Sequence, residues 1–205
     1  MTRPIPSGFD FSRFEFGPVV KLPAVYEVID CTKGYDPGRT PAHEYSIGRY
    51  NEKRPGMYVT ELFTEAQPPR DIHVGIDIGG PAGTPVHAFY DGRVYMTGIN
   101  PAAGDYGGTV ITEHDLGGEK IWALHGHLSH ASTRALVPGQ AIRKGDVIGW
   151  FGAKSENGGW NPHLHFQLSW EQPAKCDLPG AVNERDLAHA LAVYPDPRCV
   201  LGPLY

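Results

Sequence analysis

The 205-residue sequence is poor in cysteine: Cys31, Cys176 and Cys199 are odd in number, far apart and without a CxxC pair. That excludes a disulfide framework and a thiolate zinc knuckle, and reduced, buried thiols are the expectation. No apolar run approaches the ~20 residues of a membrane span. The opening residues, MTRPIPSGFD, lack the apolar core of a secretory signal. The sequence as written therefore reads as cytoplasmic, with export to the cell envelope left open. There is no basic block, and the net charge is −5, so nucleic acid is not an expected partner. No GxxxxGK[ST] motif is present, so the glycine pairs read as turns and not as phosphate cradles. Good helix interiors are also scarce. The 26 glycines and 19 prolines make 45 of 205 residues, which argues against a helix bundle.

What remains is a β-rich body and ten histidines. Residues 1–56 show little periodicity and read as an irregular N-terminal arm packed on the body. Phe9, Phe11, Phe14, Phe16, Val19, Val20 and Leu22 are its anchors, and the Phe9/Phe11 alternation fits a short strand. Residues 57–205 form the main domain. Candidate strands are 57–63, 72–78, 84–89, 92–97, 108–114, 120–128, 147–151 and 163–170. They are separated by turn signals such as Asp91-Gly92, Gly117-Gly118 and Gly158-Gly159. The expected fold is mainly β, an antiparallel sheet or barrel-sandwich body, with one short helix near 182–192.

The histidines cluster in three segments: Arg70 to Asp77 (His-x-x-x-Asp), Trp122 to Ser129 (His125-Gly126-His127) and Asn161 to Gln167 (His163-Leu164-His165). Strand side chains alternate, so His163 and His165 share a face, ~6.6 Å apart, with Leu164 and Phe166 opposite. The same rule puts His125 and His127 on one face. His73 and Asp77 also share parity, but on a straight strand they lie ~13 Å apart. A shared ion demands a bend, at Gly75 or just past Asp77 at Gly79-Gly80. Two imidazoles and a carboxylate with an open fourth position make a catalytic zinc site. Metal-free histidines beside it can move a proton or hold an oxyanion. His43, His114, His130 and His189 read as surface or turn residues, and His87 as packing near a strand.

Four ordered stretches, HVGIDIGGPAGTPVHAFYDGRV, HGHLS, VPGQAIRKGDVIGWFG and HLHFQ, resemble the lysostaphin/LytM-type zinc metallopeptidases over roughly residues 57–170. The resemblance implies the duplicated-hybrid-motif fold. It implies one zinc ion on His73, Asp77 and His165, with His127 and His163 as catalytic residues. It also implies endopeptidase activity on peptide bonds, typically in cell-wall peptides with glycine or D-amino acids, so the implied partner is a peptide, including a muropeptide. The sequence departs from that family in four places. His125 stands where a tyrosine is frequent and is either a further site imidazole or a packing substitution. Gln167 replaces a glutamate. The approach loop Lys154–Trp160 is longer than usual. The tyrosine that precedes the first ligand is missing from Gln67–Arg70, which leaves Tyr58 or Arg70 as its substitute.

The tail carries a narrower resemblance. NGGWNPHLHFQL followed by the PDP…LG end is similar to the LytM-like domain of multidomain proteins that also carry aminotransferase and kinase-like phosphotransferase domains. Three rival readings are weaker. A catalytically silent binding module of the same fold normally loses metal ligands, and all five positions are present here. A cupin-like metal enzyme calls for a glutamate three or four residues after its His-x-His, and neither pair has one. A biotinyl- or lipoyl-type carrier needs a modified lysine at a hairpin tip.

Overall fold

A two-residue turn organises the longest hairpin. Gly117 and Gly118 both adopt positive φ, +68° and +94°, the conformation whose twist matches paired strands and that glycine reaches without strain. A computed structural model describes residues 5–6, 8–36 and 38–205. The hairpin joins β8 (Gly107–Leu116) to β9 (Glu119–Leu128), and it lies within an eight-stranded sheet. The other members are β1 (Glu27–Ile29), β2 (Ser46–Gly48), β5 (Ile76–Gly79), β7 (Gly92–Asn100), β10 (Ala141–Ile142) and β12 (His163–Ser169). Their order is β1-β2-β5-β12-β9-β8-β7-β10. All pairings are antiparallel except β1 with β2, which is parallel. Two small sheets flank it: β6 (Pro85–His87) with β11 (Val147–Trp150), and β3 (Glu52–Lys53), β4 (Ile72–His73) and β13 (Ala181–Val182). The helices are short: α1 (Glu61–Thr64), α2 (His130–Ala135), α3 (Leu187–Val193) and α4 (Arg198–Leu201).

One face of the large sheet is the main core. Val110, Ala123, Leu164, Phe166 and Leu168 project from it, and Val86, Phe89 and Ile148 around the β6/β11 pair pack over them. The N-terminal segment closes this core. Val19 and Val20 are buried, and Phe9 and Phe11 pack against Trp170, edge-on and tilted, with centroids 5.2 and 5.6 Å away. The same segment contributes β1 and β2 to the sheet edge, so residues 27–29 and 46–48 are part of the body's own hydrogen-bonded frame. The opposite face carries Ile111, Leu124 and Tyr106, and there His127, His163 and His165 gather.

Several expectations are corrected. Residues 57–63 are not a strand: Thr60 takes an extended conformation and opens α1, which buries Phe63. Phe9 and Phe11 do not form a strand, because Asp10 accepts from Ser12 N and caps a 3-10 turn over Phe11–Arg13. Residues 72–78 split into β4 and β5 around Val74-Gly75. The C-terminal helix runs from Leu187 to Val193 behind Asp186, overlapping the expected 182–192 window, while 181–182 pair with β4. His114 is not at the surface. It is 1% exposed, bonded through Nδ1 to the Asp91 carbonyl (3.0 Å) and packed at a tilt on Phe89 at 4.2 Å.

His125 also belongs to this core. Its ring packs on Phe166 at 5.3 Å and its Nε2 has no hydrogen-bond partner. Burial pushes its pKa down to about 3 and that of His114 down to about 4. Both are neutral in the native state, whereas in the unfolded chain they protonate near the ordinary histidine pKa of ~6.5. The unfolded state therefore binds more protons as pH falls through that value, and stability is lost from about pH 6.5 downward toward the native pKa values. The expected loss in urea unfolding is roughly 1 kcal/mol per pH unit for each histidine. His125→Leu should make the curve shallower; an unchanged slope would contradict the assignment.

Candidate metal centre

The break between β4 and β5 brings His73 to Asp77. At Gly75 a Cβ would overlap the His165 ring and approach the Phe166 carbonyl at 3.0 Å, so the bend passes against β12 at a point where no side chain fits. Register does the rest: His165 pairs directly with Asp77 across β12 and β5. His73 Nε2 lies 3.0 Å from His165 Nδ1 and 3.2 Å from Asp77 Oδ1, and His165 Nδ1 lies 3.1 Å from the same Oδ1. Of the two bends the spacing allowed, the one at Gly75 forms the cluster.

The hydrogen-bond partners fix what these atoms are. His73 Nδ1 is 2.8 Å from the Arg49 carbonyl, which can only accept, so Nδ1 carries the proton and Nε2 presents a lone pair. Gln167 Nε2 donates to the Pro179 carbonyl at 3.4 Å, which turns Gln167 Oε1 toward His165 Nε2 at 2.9 Å. His165 Nε2 is therefore a donor and Nδ1 is bare. Two nitrogen lone pairs and a carboxylate oxygen thus point at one another, an arrangement that repels itself unless a cation sits among them. Tetrahedral zinc with ~2.0–2.1 Å bonds separates its ligands by ~3.3 Å, a few tenths more than the spacing observed. The donor set fits zinc, and the outer partners that orient each imidazole are in place.

Burial and the Arg54 guanidinium push the His73 pKa down to about 4. Burial pushes Asp77 upward, but His73 and Arg54 outweigh it and hold the carboxyl well below its usual range. Arg54 is the residue that sequence reasoning missed. It is 1% exposed, and its Nη1 donates to Asp77 Oδ2 at 2.6 Å. Its Nε donates to Glu52 at 3.0 Å, and its Nη2 to the same Arg49 carbonyl that orients His73, at 3.2 Å. Nothing in the sequence separates it from its neighbours Arg49 and Lys53; the alternation of Glu52 and Arg54 is the single local hint.

His127 and His163 stand beside the triad with ring centroids 4.1 Å apart. Each donates Nδ1–H to a backbone carbonyl, that of Asn157 (2.9 Å) and Asn161 (2.7 Å) respectively, so each Nε2 is a free acceptor. Burial lowers both pKa values, and for His127 the neighbouring His163 adds to the shift. The loop 154–160 supplies the fixing partner: Asn157 is fully buried, accepts from His127 and holds Trp160 N. Tyr106 packs on His127 and His165 at 5.4 and 5.1 Å, with its hydroxyl committed to the Leu178 carbonyl.

His127 does not reach this face by simple alternation. Leu128 pairs with Gly108 and His125 with Val110, so Gly126 and His127 oppose the single residue Thr109. That β-bulge places His127 at φ +60°, and it separates His127 from His125. His125 lies on the core face and does not line the cavity around the triad, which corrects the shared-face expectation. Tyr58 and Arg70 both line the cavity of about 230 Å³ that holds all five predicted site residues. Neither bonds the triad: Tyr58 Oη accepts from Arg54 Nη1 at 3.2 Å, and the Arg70 guanidinium lies over the Phe63 ring at 5.1 Å.

Removing the buried Arg54 charge leaves Glu52 and Asp77 as buried carboxylates without their cation. Arg54→Met should destabilise the metal-free protein by about 3–5 kcal/mol. A zinc ion on Asp77 replaces part of that charge, so the loss in urea unfolding should shrink when zinc is added. An equal loss with and without zinc would contradict this coupling.

A family model described as peptidase family M23 matches residues 71–177, just over half of the chain. The DD-carboxypeptidase/endopeptidase Mpg of Neisseria meningitidis is 36% identical over 96 residues, 47% of this chain and 20% of that protein. The peptidoglycan DD-endopeptidase ShyA of Vibrio cholerae matches with the same identity and coverage. The chain thus spans about a fifth of the length of these curated relatives. Among solved structures, the catalytic domain of lysostaphin from Staphylococcus simulans superposes with a TM-score of 0.46 at 20% identity, covering 71% of this chain and 92% of that one.

Proposed function

The chain belongs to peptidase family M23, and from that premise we propose that it is a zinc metalloendopeptidase. Its substrates would be peptides of the peptidoglycan type, with glycine or D-amino acids at the cleaved bond. The observation that carries the reading is the convergence of three bare acceptor atoms, His73 Nε2, Asp77 Oδ1 and His165 Nδ1, beside two further imidazoles. These three residues would hold one zinc ion. When bound there, zinc lowers the pKa of a water and polarises a peptide carbonyl.

The protein's own groups do the rest. Asp77 and His163 keep 16% and 17% of their side-chain surface open, against 2% for His73 and 4% for His165. A substrate carbonyl therefore approaches over Asp77 and His163. Because His127 and His163 have Nδ1 committed to carbonyls, Nε2 of each first accepts a proton. Once protonated, that Nε2–H becomes a donor, to the oxygen that gains negative charge or to the departing amine. Burial keeps both rings neutral beforehand, which is the state a proton acceptor needs. Trp160 and Phe63 add an aromatic wall to the cavity.

No helix among the described residues is long and apolar enough to cross a membrane. The curated relatives named above are peptidoglycan and DD-peptide enzymes by name, which supports a wall-peptide substrate for this chain.

The test is turnover of purified peptidoglycan and of defined peptides containing glycine or D-alanine, by zinc-loaded protein and by His127→Ala. The expected result is cleavage by the parent, and a fall in kcat of about 10²–10⁴ in the variant with zinc content retained. Full activity in His127→Ala would overturn the catalytic assignment. Zinc binding without any turnover by the parent would instead favour a silent binding module.

A further inference from the structure

A second cavity, of about 360 Å³, adjoins the metal centre and shares four of its walls with the first: Met57, Asp77, Trp160 and His163. Strand order shows how the two are disposed. The triad sits at the β5–β12 junction. The first cavity extends from there over the β9 side, past His127, Tyr106 and the 177–180 segment. The second extends the opposite way, over β5, β2 and the end of β1. Strands lie ~4.8 Å apart, so the three steps from β12 to β1 span ~14 Å, the length of about four extended residues at ~3.3 Å each.

The second cavity exists because its floor is built of small residues. Ser46, Gly48 and Gly79 carry it, and a Cβ on Gly79 would overlap Ser46 Oγ, while one on Gly48 would approach Arg54 Nη2 at 2.7 Å. Its outer wall comes from residues 29–44, with Tyr35 facing Trp160 at a centroid distance of 6.4 Å. Residues 29–36 and 39–44 lie outside the stretch matched by the family model, and Trp160 lies within it. The wall also has a sign. Both guanidiniums that reach the cavity are already neutralised, Arg39 by Glu27 and Arg54 by Asp77 and Glu52. Asp30, Asp36 and Glu44 line it as well, and none of them forms a salt bridge with a described residue.

We propose that this cavity is the second half of the substrate cleft, built by the N-terminal segment, and that it takes an extended peptide segment bearing a free ammonium group. The inference rests on the peptidase reading and deepens it. The metal centre would then act midway along a bound chain. One side of the cleft would be walled by the matched domain. The other would be walled by residues 29–48, which select for positive charge.

The experiment compares acetyl-Gly-Gly-Lys-Gly-Gly-amide with its Nε-acetyl-lysine counterpart. Binding is followed by amide chemical shifts on zinc-loaded His127→Ala protein, with His163→Ala as the alternative should the first variant not fold. The expected result is shift changes along residues 29–48 and at least fivefold tighter binding of the ammonium-bearing peptide. Adding Asp30→Asn, Asp36→Asn and Glu44→Gln, all at exposed positions, should bring that ratio to about one. Equal affinity for the two peptides, an unchanged ratio in the triple variant, or shifts confined to residues 104–106 and 175–180 would overturn the proposal. Cleavage by the parent protein is scored separately. A protein that binds along 29–48 but cleaves nothing contradicts the peptidase reading and leaves this cleft standing. One that cleaves without charge preference does the reverse.

Discussion

Three acceptor atoms held 3.0–3.2 Å apart are the constraint around which the rest of the structure is arranged. Such a cluster repels itself, and each of its members is pinned from behind. His73 is held by the Arg49 carbonyl, His165 by Gln167, and Asp77 by the buried Arg54 guanidinium. Arg49 ties the set together, because its carbonyl accepts from both His73 and Arg54. The backbone complies with the same demand. Gly75 lets β4 turn into β5 against the His165 ring, and Gly48 leaves room for Arg54 beside Asp77.

The division of the large sheet into two faces explains what could be read from residues alone. His163 and His165 follow strict alternation along β12, with Leu164 and Phe166 in the core, so their shared face was legible. The His73–Asp77 spacing carried its own signal: too long for a straight strand, it demanded a bend, and glycine marked where. His125 and His127 broke the same rule, because a bulge opposite Thr109 inserts one residue and turns His127 alone toward the site. A bulge leaves no mark in a hydrophobic pattern. Residues 57–63 misled for a different reason. Their β-branched and aromatic character fits a strand, but the segment is used as a lip that buries Phe63 beneath Tyr58.

Arg54 was illegible because its meaning lies in partners that are distant in sequence. Asp77 is 23 residues away, and no local pattern announces that a charged side chain in a Gly- and Pro-rich region will be fully buried. The same holds for Asn157, whose carbonyl fixes the His127 tautomer from a loop whose length was its only visible feature. In both cases the residues nearest the chemistry were readable, and those that orient them were not. The N-terminal segment has the same character: it looks irregular in sequence, yet it supplies the sheet edge, the Arg54 anchor and one wall of the second cavity.

His73, Asp77 and His165 are proposed to hold one zinc ion with nitrogen and oxygen donors. Metal analysis of the purified protein, combined with zinc K-edge absorption, tests it most directly. The predicted result is one zinc per chain, with two imidazole nitrogens near ~2.0–2.1 Å, oxygen completing the shell and no sulfur, and with loss of that zinc in Asp77→Ala. A protein that takes up no zinc, or whose zinc is bound by sulfur, would contradict it.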